Sequence, residues 1–161
     1  MDIVEKLNTL CIDKHVTIAT SESCTAGSIA SKICSVSGSS FFFAGGIIAY
    51  QNRIKENLLT IPNKILNQSD AVSATVAEKM AYNTRVKFGV DFCISSTGFA
   101  GPTGGNADFP VGTIFLGISS IEKTISKRLN ILSSKRSDFM LQAVNSALSF
   151  LYDEIKKQRL K

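Results

Sequence analysis

The spacing of apolar residues changes several times along the chain, and each change predicts a new element. Ile3, Val4, Leu7, Leu10 and Cys11 recur at helical spacing, after which Val16 to Thr20 forms a short β-branched run that predicts a buried strand. The polar cluster Ser21-Glu22-Ser23-Cys24-Thr25 comes next. Ala26, Ile29, Ala30 and Ile33 then predict a helix starting near Thr25, so the cluster reads as a strand-to-helix turn. Ser35 to Ser40 is predicted as a loop and Phe41 to Phe43 as an apolar patch. Ile47 to Tyr50 is predicted as a strand after the hinge-like pair Gly45 and Gly46, and Asn52 to Leu59 as a short helical turn.

Ser73 suits the N-cap of a helix with Ala77, Met80, Ala81, Thr84 and Phe88 on one face, and Gly89 suits its termination. Phe92 to Ser96 is a further buried strand. Four glycines and two prolines between Gly98 and Pro110 are too many for an element interior and predict a loop. Val111 to Ile118 and Ile121 to Ile131 read as adjacent strands, and Met140, Val144, Ala147, Leu148, Leu151 and Ile155 give a last helix an apolar stripe. Helices alternating with strands, with hairpin pairing late in the chain, predict an α/β fold: a single three-layer α/β/α domain with a mixed sheet over residues 1–161.

Composition narrows the function classes. No run approaches the roughly 18 to 20 apolar residues of a membrane span, and the N-terminus lacks a basic region followed by an apolar run, so a cytoplasmic protein without membrane association is expected. The net charge of +5 first suggests nucleic acid. Yet Lys156, Lys157, Arg159 and Lys161 fall in the last six residues and leave 14 basic against 13 acidic residues elsewhere, so a cationic helix end is expected rather than a nucleic-acid surface. Cys11, Cys24, Cys34 and Cys93 show no paired spacing and are accompanied by the sole histidine, His15. No metal site and no disulfide framework is expected from that pattern, and no cofactor is called for.

Three segments of unusual chemistry fall after predicted strands, where α/β sheets bind ligands. They are Ser21 to Gly27, Tyr50 to Lys55, and Thr97 to Gly105. Singly, each has a plain structural reading. The first can be helix capping and the third a long turn, Lys55 can be a solvated surface lysine, and Tyr50 can close a strand in the core. A decoy is also present, since Ser120 and Lys123 satisfy S-x-x-K by spacing but read as a turn between strands.

Taken in order, E-S-C-T-x-G, Y-x-N-x-x-K, G-x-A-G-P-x-G-G and P-V-G-T (Pro110 to Thr113) resemble the CinA C-terminal domain family over nearly the whole chain. The chain is similar to the stand-alone form of that domain. The resemblance implies hydrolysis of the carboxamide of nicotinamide mononucleotide, with Ser23 as nucleophile and Lys55 as its base, and a homo-oligomer, at least a dimer. It further implies a substrate site drawn from Glu22, Thr25, Gly27, Tyr50, Asn52, Gly98, Gly101, Gly104, Gly105 and Arg136, the arginine as a phosphate ligand. Ser134 and Lys135 stand where a Gly-Asp pair commonly precedes that arginine. Cys24 invites a thiol mechanism, but no histidine is expected beside it, and serine is preferred. The competing reading is a non-catalytic nucleotide-binding module associated with competence or DNA damage.

Overall fold

A computed structural model describes residues 2–68 and 70–158. Helix α1 (Ile3–Lys14) opens with a capping box between Asp2 and Glu5 and closes on His15 in the left-handed conformation. Strand β1 (Ile18–Glu22) leads to α2 (Ser28–Cys34), β2 (Phe43–Ile48), α3 (Asn52–Leu59) and α4 (Asn63–Leu66). Helix α5 (Ala74–Phe88) follows, capped by the Ser73 hydroxyl and ended by Gly89, and then β3 (Phe92–Gly98), β4 (Thr113–Ser119), β5 (Thr124–Asn130) and α6 (Arg136–Lys157).

The five strands form one mixed sheet in the order β2-β1-β3-β4-β5. Strand β1 runs parallel to β2 and β3, while β3, β4 and β5 pair antiparallel as two hairpins. Helices α1, α2 and α6 cover one face, where Leu7, Ile29, Leu148 and Leu151 meet Ile18, Ile94, Ile114 and Leu116. Helix α5 lies across the other face, with α3 and α4 beside it, so the expected three-layer α/β/α arrangement is present. Strands β1 and β3 are buried along almost their whole length, as central strands covered by helices on both sides must be. The chain passes from β1 to β2 on one side and then to β3 on the other, which opens a crevice beyond the carboxyl ends of β1 and β3.

The sequence pattern misplaced several boundaries. Gly45 and Gly46 are not a hinge ahead of a strand but lie inside β2, which ends before Tyr50. A β-carbon on Gly46 would collide with the Thr20 hydroxyl of the neighbouring strand, and Gly45, at φ 137°, adopts a backbone that other residues rarely take. Strand β1 extends through the polar residues Ser21 and Glu22, past the point where its apolar run stops. Helix α2 begins at Ser28 rather than near Thr25, because Ala26 and Gly27 at φ 49° and 92° form a left-handed turn first. Helix α4, after Pro62, was not expected at all. Of the expected basic tail, Arg159 and Lys161 lie outside the described residues. Among those residues, no helix is long and apolar enough to cross a membrane.

Candidate active site

Ser23 is the first residue beyond β1, and its backbone N–H donates to the carbonyl of Ser96 on β3 at 3.0 Å. Lys55 sits on the first full turn of α3, and its Nζ lies 2.9 Å from Ser23 Oγ and 3.1 Å from the carbonyl of Tyr50. Only 2% of Lys55 is exposed. Desolvation lowers its pKa from 10.5 to about 8, against a smaller opposing effect of the Cys24 thiol. The plain reading of Lys55 as a solvated surface residue is therefore wrong.

Successive residues along a strand face opposite sides of the sheet, and that alternation separates Glu22 from Ser23. Ser23 faces α3, whereas the Glu22 carboxylate lies under α2 and accepts hydrogen bonds from the Thr25 hydroxyl and the N–H groups of Gly27, Ile29 and Ala30. Thr25 Oγ1 is also 2.6 Å from Ser96 Oγ. Glu22, Thr25 and Gly27 were expected as substrate contacts; the Glu22 carboxylate, the Thr25 hydroxyl and the Gly27 N–H build the turn that carries Ser23. The N–H donors at the start of α2 go to Glu22 and not to a ligand.

A cleft of ≈310 Å³ opens over the pair, at the lower end of the roughly 300–1,000 Å³ typical of small-molecule sites. It brings together Ser23, Lys55, Tyr50, Asn52, Gly98, Gly101 and Arg136. Gly104 and Gly105 do not line it. Their φ values of 92° and 79° shape the loop further out, where Gly105 approaches the backbone of Phe109 to Val111. Tyr50 is 53% exposed, which excludes a place in the core. Arg136, at the first position of α6, donates from Nη1 to the carbonyl of Gly101 at 2.8 Å and from Nη2 to the Tyr50 hydroxyl at 3.0 Å. One guanidinium thus joins the turn after β2 to the glycine loop after β3. Lys135 supplies no side-chain cap to α6, so Arg136 stands at an open helix start.

Thr97, Phe99, Ala100 and Thr103, from the segment singled out after β3, also line the cleft, and so do Asp70 and Val72, which no motif in the sequence includes. Thr97 and Phe99 flank Gly98, so the motif itself could have pointed to them. Asp70 and Ala71, at φ 48° and 60°, arrive by a tight turn pinned by Thr97 Oγ1 donating to the Ala71 carbonyl at 2.6 Å, and no sequence pattern marks that turn.

Cys24 is buried, and desolvation pushes its thiol up to about 12, so it carries no thiolate at neutral pH. Ser120 and Lys123 do form the tight turn between β4 and β5, with the Ser120 N–H donating to the Lys123 carbonyl at 2.8 Å. Among the described residues, no group of three or more His, Cys, Asp or Glu side chains is placed to hold a metal ion.

Comparison with known proteins gives this fold and site a family. The CinA-like protein of Flavobacterium psychrophilum is 42% identical over 151 residues, 94% of this chain and 36% of that protein. That of Leptospira borgpetersenii serovar Hardjo-bovis is 38% identical over 97% of this chain and 37% of its own length. The chain spans a little over a third of the length of these curated relatives. Among solved structures, the competence damage-inducible protein A (ComA) from Klebsiella pneumoniae subsp. pneumoniae MGH 78578 matches with TM-score 0.92 and 25% identity, over 98% of this chain and 97% of that one. The competence/damage inducible protein CihA from Agrobacterium tumefaciens matches with TM-score 0.89 and 28% identity, over 98% and 97%. The family model described as the CinA C-terminal domain covers residues 1–155, and the chain belongs to that family.

Proposed function

We propose that this domain is an amidohydrolase that converts nicotinamide mononucleotide to nicotinate mononucleotide and ammonia, through Ser23 as nucleophile and Lys55 as general base. The observation that carries the reading is the 2.9 Å contact between Ser23 Oγ and a lysine ammonium buried deeply enough to lose its proton near neutrality. With neutral Lys55, one N–H donates to the Tyr50 carbonyl while the lone pair accepts the Ser23 proton. Oγ then attacks the carboxamide carbon, and the carbonyl oxygen takes the negative charge.

The N–H groups of Cys24 and Thr25 directly follow the nucleophile and have no hydrogen-bond acceptor among the described residues. They are the natural donors to that oxyanion, a role worth about 3 kcal/mol per donor in other acyl-transfer sites. Protonated Lys55 returns its proton to the leaving amine, ammonia departs, and water releases the acid from the acyl-serine by the same steps in reverse roles. Arg136, beside Tyr50 and Gly101, provides the positive charge for the 5′-phosphate, and the exposed Tyr50 ring provides a surface for the pyridinium. The dyad favours this reading over a non-catalytic nucleotide-binding module, since burying a lysine against a serine hydroxyl costs stability.

The test is an ammonia assay on purified protein with nicotinamide mononucleotide, its riboside and free nicotinamide. The mononucleotide should be turned over best, the riboside less well and free nicotinamide least. Ammonia release from none of the three would overturn the reading.

A further inference from the structure

Glu22 is fully buried beside the proposed nucleophile, yet it faces away from the cleft and has no part in the acid–base steps above. We propose that it is a positioning residue. Its carboxylate, through Thr25 and Ser96, fixes the turn from Ser23 to Gly27 so that Ser23 Oγ and the N–H groups of Cys24 and Thr25 are set for attack before substrate arrives. The inference rests on the role of Ser23 proposed above.

The geometry gives the network a direction. Oε2 of Glu22 accepts from Thr25 Oγ1 at 2.7 Å and from the N–H of Gly27 and of Ile29 at 3.0 Å, and Oε1 accepts from the N–H of Ala30 at 2.8 Å. A hydroxyl has one proton, and Thr25 spends it on the carboxylate. The 2.6 Å contact between Thr25 Oγ1 and Ser96 Oγ therefore has Ser96 as donor. Ser96 also accepts the Ser23 N–H at its carbonyl, and the Glu22 carbonyl accepts from Ala49 N–H on the way out of β2. The turn is thus fastened at its entry by the backbone of β3, in its middle by the Thr25 hydroxyl, and at its exit by three N–H groups gathered on one carboxylate. Ala26 and Gly27 hold left-handed conformations inside it. The carboxylate takes up the donors at the start of α2 and leaves those of Cys24 and Thr25 unspent beside Ser23.

Reactivity of Ser23 itself tests this without relying on turnover. The measurement is the rate at which a fluorophosphonate labels Ser23, read by mass spectrometry and normalised to the folded fraction at each variant's unfolding transition. Glu22→Gln keeps the shape but presents an amide group to N–H donors, and should label about 10- to 100-fold more slowly than wild type per folded molecule, the cost of a small misplacement of a reacting atom. Thr25→Ser keeps the hydroxyl and should label within about threefold of wild type, whereas Thr25→Val removes it and should slow as Glu22→Gln does. Glu22→Gln and Thr25→Val proteins that melt earlier but label at the wild-type rate would show a purely structural cap and overturn the proposal. A wild-type protein labelled elsewhere than Ser23 would overturn the nucleophile assignment, and this inference with it.

Discussion

A lysine with 2% of its surface exposed is rare, because an ammonium group is among the most costly to take out of water. Lys55 binds its proton at about pH 8 in the fold but at 10.5 when unfolded, so between those values the unfolded chain holds more protons and stability rises with pH. Below pH 8 the full cost of the buried charge is present. Lys55→Met removes that cost and should stabilise the protein at pH 7 by about 1–3 kcal/mol after its lost hydrogen bonds are counted, with a gain that shrinks between pH 8 and 10.5. Thermal melts of both proteins across that range check it. The same variant should be inactive, and so should Lys55→Arg, which keeps the charge but cannot release a proton. A Lys55→Arg protein with substantial turnover would make Lys55 an electrostatic anchor. Ser23→Ala should abolish turnover while substrate still binds, and Cys24→Ala should retain much more activity, because the Cys24 thiol stays protonated up to about pH 12.

Between elements, the site depends on how closely helices approach the sheet. Gly117 on β4 lies directly under α5, where an added β-carbon would press on the Ala77 carbonyl and on Ser95 Oγ. Ser95 Oγ itself donates to that carbonyl at 2.6 Å, so neither neighbour can yield cheaply. Gly117→Ala should lower stability by about 1–3 kcal/mol in a denaturant titration, as overpacking does. At the start of α6, Arg136 joins two walls of the cleft, and kinetics can separate that role from the phosphate contact proposed for it. Arg136→Ala should cost about 1.5–3 kcal/mol in kcat/KM for the mononucleotide and distinctly less for the riboside. An equal loss on both would leave only the wall-holding role.

For the molecule as a whole, the order of elements other than α4 and the three-layer architecture were legible because apolar period changes wherever one element gives way to another. The late hairpins and the Ser73 and Gly89 caps were legible for the same local reasons. Close approach was not. Gly45 and Gly46 look like a hinge until β1 is placed against them, and the buried polar end of β1 looks like a loop until its partners on β2 and β3 are known. In the site, the motifs named the residues but not their sides. The alternation at the end of β1 sends Ser23 to Lys55 and Glu22 to α2, and only the fold shows that the Glu22 and Thr25 side chains and the Gly27 N–H support the turn.

The most direct test of the Ser23–Lys55 chemistry is ammonia release from nicotinamide mononucleotide by wild type and Ser23→Ala between pH 6 and 10. Wild-type kcat/KM should climb about tenfold per pH unit below the lysine pKa of about 8 and level off above it, while Ser23→Ala stays at background throughout. Wild-type release no faster than that of Ser23→Ala, or a rate indifferent to pH through 8, would contradict the assignment of this pair as nucleophile and base.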